Sequence, residues 1–179
     1  MAQYCLFPTE IGACGIAWAN GLVTATHLPD ENDTATAAHI AARAKATQGS
    51  APASVQSSID AITELLEGKP RDLLDVACDF SGVDKLAYQV YQITRRIPPG
   101  ETQTYGAIAE ALGDKQLAQQ VGQTLGRNPL PIIVPCHRVI GADGKLTGFS
   151  APGGVNTKLK MLAIEGALAA AQTGLFDEF

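Results

Sequence analysis

A chain of 179 residues, 46% hydrophobic and 17% charged, has the make-up of a globular protein with one domain or two small ones. No apolar run approaches the length of a bilayer span. The opening MAQYCLFPTE lacks the basic start and long apolar stretch of a secretory signal, so a cytoplasmic protein without membrane contact is expected. The net charge of −5 excludes a strongly basic nucleic-acid binder, but it is unevenly spread: residues 1–82 carry four basic groups against ten acidic, whereas residues 83–179 carry nine against eight.

Residues 3–8 and 12–19 alternate apolar with small or polar side chains and predict strands. Asn20-Gly21 ahead of Leu22-Val23-Thr24-Ala25-Thr26 predicts a hairpin. An Ala-rich helix follows over 34–47, then a loop over 48–52. The spacing of Val55, Ile59, Ile62 and Leu66 predicts a second helix over 54–67, stopped by Gly68-Lys69-Pro70. Leu73–Phe80 reads as a further strand, completing a small α/β unit. Ser81-Gly82 marks the expected boundary between a domain over 1–82 and one over 83–179.

Past the boundary the pattern turns helical, with Leu86, Val90 and Ile93 on one stripe that ends at Ile97-Pro98-Pro99-Gly100. Thr104 can cap a next helix carrying Tyr105, Ile108, Ala109 and Leu112. A third, from about Lys115 to Leu125, buries Leu117, Val121 and Leu125 after the Gly113-Asp114 turn. Two short helices about a Gly-containing turn suggest a helix-turn-helix, a pattern that generic helical hairpins share. Any nucleic-acid contact belongs in this less acidic half and should be weak and salt-sensitive. The run 128–137 then places three prolines (Pro129, Pro131, Pro135) inside an apolar stretch. It is neither a central strand nor a helix, and reads as a fixed extended segment delivering Cys136. Val155–Ala171 is predicted as a closing helix containing Leu159, Leu162, Ala163 and Glu165.

Four cysteines (Cys5, Cys14, Cys78, Cys136) are expected as free thiols. Cys5, Cys14, His27 and His39 do not have the spacing of a known zinc finger, so no metal and no cofactor is expected. Cys136-His137 is the chemical candidate. A thiol reacts as thiolate and needs a base or a positive field, and a base needs an orienting acid. His137 is the base, acting through an irregular turn or a bridging water because chain neighbours do not face each other. Glu165 is the acid chosen. The residues equally admit a buried core cysteine beside a surface histidine.

The run Asn128-Pro129-Leu130-Pro131-Ile132-Ile133-Val134-Pro135-Cys136-His137-Arg138-Val139 resembles the signature of the O6-alkylguanine-DNA alkyltransferases, the methylated-DNA–protein-cysteine methyltransferases. The resemblance extends to Ile97–Gly106, Gly148-Phe149-Ser150 and Leu162–Gly166. It implies an α+β protein in which a ribonuclease-H-like roll precedes a helical, winged-helix-related domain for DNA binding and catalysis. The implied reaction is DNA repair in a single turnover. A damaged guanine in double-stranded DNA is flipped out, and Cys136 takes its O6-alkyl group irreversibly; O4-alkylthymine is a possible second lesion. The resemblance implies His137 and Glu165 as base and orienting acid, Tyr105 as donor to the leaving guanine, and Asn128 as support of the active-site turn. It makes Pro131, Val139, Phe149 and Ser150 the base pocket, and puts Lys115, Gln116, Ala118, Gln119, Gly122, Arg127 and Arg138 at the DNA.

One departure stands out. The family's usual arginine, two residues before the Val121-Gly122 pair, is here Gln119, which has no charge to offer the base stack. Gln116, Gln120 and Gln123 leave the same face neutral, so weak DNA affinity and slow duplex repair are expected. Ala151-Pro152 looks like an insertion that reshapes the pocket mouth. Two rival functions remain: a base-flipping lesion sensor with weak or altered transfer, and a multiple-turnover thiol hydrolase. The tail Gln172-Thr173-Gly174-Leu175-Phe176 has the form of a sliding-clamp-binding peptide, and also of a helix stop. A monomer is expected.

Overall fold

A computed structural model describes residues 1–146 and 151–167, and among these the architecture is α+β, as expected. Contacts divide the chain into two units. One comprises 1–82 with 129–133, the other 83–128 with 134–179. The Pro-rich stretch 129–133 thus packs with the first unit, although it lies far beyond the boundary read at Gly82. Among the described residues no helix is long and apolar enough to cross a membrane.

In the first unit β1 (Gln3–Thr9), β2 (Gly12–Ala19) and β3 (Leu22–His27) form an antiparallel meander. The β2–β3 turn works because Asn20 and Gly21 both take positive φ, 53° and 78°, which the twist of a tight hairpin requires. β4 (Thr47–Gln48) adds parallel to β1, giving the order β3-β2-β1-β4. Between β3 and β4 lies α1 (Asp33–Ala44), capped by the Asn32 side chain accepting from Ala35 N at 2.9 Å. It ends three residues earlier than expected, at a left-handed Lys45. Ala17, Ala25 and Ile40 close the core between sheet and helix. α2 (Ala53–Leu66) buries Val55, Ile59, Ile62 and Leu66, the stripe its spacing predicts. The strand expected over 73–80 is a series of turns with one bridge, Val23 to Cys78. Its apolar residues are buried only in part, Leu74 being 50% exposed, so no sheet face fixes it.

The 129–133 stretch docks on the end of β3. Thr26 donates its backbone N–H to Pro129 O at 3.0 Å and its hydroxyl to Pro131 O at 2.6 Å. The segment is buried but bent rather than extended. Ile132 sits at φ 77°, a conformation that costs a β-branched residue on the order of 1–3 kcal/mol.

The second unit is helical. α3 (Lys85–Arg95) is capped by Asp84, and α4 (Tyr105–Ala111) by Thr104, whose hydroxyl accepts from Ala107 N at 3.0 Å. The helix expected from Lys115 begins as a 3-10 turn over Lys115–Leu117 and becomes α5 over Ala118–Gly126. Tyr91 of α3 donates to Thr124 O of α5 at 3.1 Å, tying the two together. A two-residue parallel ladder joins β5 (Gln103–Thr104) to β6 (Val139–Ile140). α6 (Gly154–Ile164) is shorter than the expected closing helix, because Gly166 at φ 74° ends it.

Thr26→Val keeps shape but removes the donor to a buried carbonyl. It should cost about 1–3 kcal/mol in urea melts, with Thr26→Ser close to wild type.

Candidate functional site

Pro135 ends the bent segment, and residues Cys136–Arg138 form a single 3-10 turn that runs into β6. Cys136 N donates to Val134 O at 2.7 Å and Arg138 N to Pro135 O at 2.9 Å. The tightness of this turn separates the side chains of consecutive residues. Cys136 keeps partial exposure, while His137 and Arg138 point inward, 0% and 3% exposed.

Glu165, the residue just past α6, receives both of them. His137 Nε2 lies 2.8 Å from Oε1. Arg138 donates Nε to Oε2 at 2.9 Å and a terminal nitrogen to Oε1 at 2.8 Å. Its other terminal nitrogen donates to Ile97 O at 2.6 Å. The Pro98-Pro99-Gly100 turn closes over this junction. Gly100 has φ 87°, and a Cβ there would meet the Glu165 carbonyl at 3.1 Å, so any side chain at this position is strained and crowded.

The electrostatics follow from burial. Burial pushes the Glu165 carboxyl up, but the hydrogen bonds and charges of His137 and Arg138 outweigh it and hold the group at about 2. Glu165 is therefore an ionised acceptor, and the ring nitrogen facing it must carry the proton. Burial lowers the pKa of His137, more than Glu165 raises it, so the ring is neutral near pH 7. With the proton on Nε2, Nδ1 carries the lone pair. That atom is buried and has no hydrogen-bond partner among the described residues.

Burial also raises the Cys136 thiol, against the Asn128 hydrogen bond and the Lys158 charge, which lower it. Cys136 therefore rests as a thiol and needs a base to react. Asn128, buried at the end of α5, donates to Val134 O at 2.9 Å and holds the turn's entry. Tyr105 opens α4, half-buried, its ring edge toward Gly122. Burial and the nearby Cys136 keep its phenol protonated.

Sequence reasoning missed Lys158. It lies on α6, fully buried, and its ammonium donates to Val139 O. Burial lowers it to about 8, and the neighbouring Cys136 opposes that fall. Its spacing, four residues before Leu162 on the inward stripe, is a hint that the lysine's charge masks. Arg138 requires a correction. The resemblance implies a place for it at the DNA, but its guanidinium is spent inside the protein on Glu165 and Ile97.

Other site residues are distributed as follows. Gln116, Gln119 and Arg127 are exposed, Ala118 and Gly122 half-buried, and exposed Lys115 pairs with Glu110 at 3.2 Å. Pro131 is buried in the first unit, its carbonyl taken by Thr26. Val139 O accepts from Lys158. Phe149, Ser150 and the tail 172–176 lie outside the described residues.

A family model described as "6-O-methylguanine DNA methyltransferase, DNA binding domain" matches residues 85–167. A methylated-DNA–protein-cysteine methyltransferase of Mycobacterium bovis is 41% identical over 126 residues, 70% of this chain and 74% of the relative. One from Methanothermobacter thermautotrophicus is 30% identical across 85% of this chain and 78% of its own. The crystal structure of the Mycobacterium tuberculosis O6-methylguanine methyltransferase superposes with a TM-score of 0.76 at 34% identity, over 99% of this chain and 100% of that one. A structure of the same organism's protein in complex with DNA gives 0.75 at 34% identity, over 98% and 99%. The chain belongs to the methylated-DNA–protein-cysteine methyltransferase family.

Glu165→Gln leaves Arg138 buried without its anion and should destabilise the protein by about 3 kcal/mol at neutral pH. The carboxyl sits at about 2 in the folded protein against an ordinary 4.5, so its contribution is complete above pH 4.5 and disappears as pH falls toward 2. The gap between wild type and Glu165→Gln, read from urea melts across pH, should narrow in that window.

Proposed function

We propose that this protein repairs DNA by moving the alkyl group of O6-alkylguanine onto Cys136 in one irreversible step. The lesion is turned out of the helix toward the thiol. His137 Nδ1 takes the Cys136 proton through a water, and the resulting imidazolium is stabilised by Glu165. The sulfur attacks the alkyl carbon, a C–S bond forms, and the bond from that carbon to guanine O6 breaks with its electrons going to the base. Tyr105 donates to the leaving guanine, which is otherwise a poor leaving group. Lys158 stabilises the developing thiolate, and Asn128 holds the turn that presents it. The thioether is stable, so the reaction stops at one equivalent.

The observation that carries this reading is the buried Nδ1, without a partner among the described residues, of a histidine whose other nitrogen is fixed on an ionised glutamate, one residue from a protonated thiol. Incubation with an O6-methylguanine oligonucleotide should add one methyl to the intact mass, and none in Cys136→Ser. Binding without that increment would favour a lesion sensor, and repeated turnover a hydrolase. Lys158→Met should shift the pH–rate profile of transfer to higher pH, because each unit of rise in the thiol pKa cuts its thiolate about tenfold at neutral pH.

Delivery is the weaker half of the device. Gln119 stands exposed in the first turn of α5 with neutral Gln116, Gln120 and Gln123 about it. Gln119→Arg should tighten duplex binding and speed repair, with a steeper salt dependence. An unchanged affinity and rate would show that this position does not limit delivery.

A further inference from the structure

The end of β3 and the middle of α1 bring together three side chains that the alkyl-transfer chemistry does not use. We propose that His27, Asp30 and His39 bind a divalent transition-metal ion of the zinc class. Asp30 Oδ2 lies 2.8 Å from His27 Nε2 and 2.8 Å from His39 Nδ1. The three ligand atoms all fall within 4.8 Å of one another, the sole such convergence among the described residues. Two imidazoles from different elements thus aim a nitrogen at one carboxylate oxygen.

A tetrahedral ion with bonds of about 2.0–2.2 Å holds its ligand atoms roughly 3.4 Å apart. Each N···O contact therefore opens by about half an ångström and the two nitrogens draw together. The freedom for this lies in His39, whose side chain is 60% exposed, while those of His27 and Asp30 are 9% and 11% exposed. The inner two ligands are fixed. His27 ends β3, and Asp30 N donates to Thr36 Oγ1 at 3.0 Å, anchoring the loop on α1. The exposed rim at His39 gives an ion its path in.

The donor set selects the ion. Two imidazoles and one carboxylate suit zinc, copper or nickel, not the oxygen cages of calcium or magnesium. Asp30, Glu31 and Asp33 supply negative charge beside the cationic Arg43. A fourth position stays open to water. The cysteines take no part: Cys14 is buried against Thr9, and neither it nor Cys5 joins the group. A bound ion would clasp β3 to α1 and stiffen the first unit.

The test uses the whole protein, stripped with chelator and titrated with Co2+, then Zn2+. Expected are one equivalent at this site with nitrogen–oxygen ligand-field absorption in the visible, no thiolate-to-cobalt band from that equivalent, displacement by Zn2+, and a higher melting temperature with metal. His39→Ala and Asp30→Asn should each weaken that equivalent by about tenfold or more, and His39→Ala should leave single-turnover alkyl transfer unchanged. No binding, undiminished affinity in both variants, or a spectrum dominated by thiolate ligation would overturn the site.

Discussion

The buried carboxylate of Glu165 is the interaction on which the rest of the catalytic unit depends. It sits just past the C-terminal end of α6, where the helix dipole disfavours a negative charge, and it is out of water. Such a group persists only with strong partners. The Arg138 fork supplies two charge-assisted hydrogen bonds and His137 a third, so one anion fixes two consecutive side chains of the signature turn. Arg138 also reaches Ile97 O, so the same junction locks the loop after α3 to the turn before β6. The string of polar residues around Cys136 is therefore a packing arrangement as much as a reactive one. Its consequence for reactivity is a tautomer: an acid that must accept forces its histidine to donate, which leaves the other nitrogen free to act as base.

The thiol follows a different logic. Its burial makes the thiolate costly at rest, and Asn128 and Lys158 recover only part of that cost. A cysteine tuned this way reacts poorly with adventitious oxidants and electrophiles and is activated when a base and an alkyl carbon are both in place. The chain leads up to it through a bent, buried segment in which Ile132 holds a strained backbone and Thr26 grips two carbonyls.

Much of this was legible in the sequence because local rules and tertiary structure agreed. Asn20-Gly21 specified its hairpin, and the α2 stripe and the Thr104 cap fell where spacing placed them. The link from His137 to Glu165 was chosen on the need of a base for an acid, and the two are in contact. Other features were illegible for physical reasons. A charged residue such as Arg138 reads as exposed until its buried partner is known, and Lys158 reads as one more surface lysine of a helix. Apolar Leu73–Phe80 reads as a strand because periodicity cannot show that the run meets β3 at a single bridge, Val23 to Cys78. The positive φ of Ile132 opposes its intrinsic preference and is imposed by the surroundings. Asp30 carried no signal at all beside His27 and His39, since turn acids are commonplace.

The central claim is that Glu165 sets the protonation of His137 so that Nδ1 is the bare nitrogen. Long-range nitrogen–proton correlation NMR of the imidazole-labelled protein reads this directly. At neutral pH the account predicts a neutral His137 ring with its proton on Nε2 and an unprotonated Nδ1. A doubly protonated ring, or a proton on Nδ1 with Nε2 bare, would contradict it.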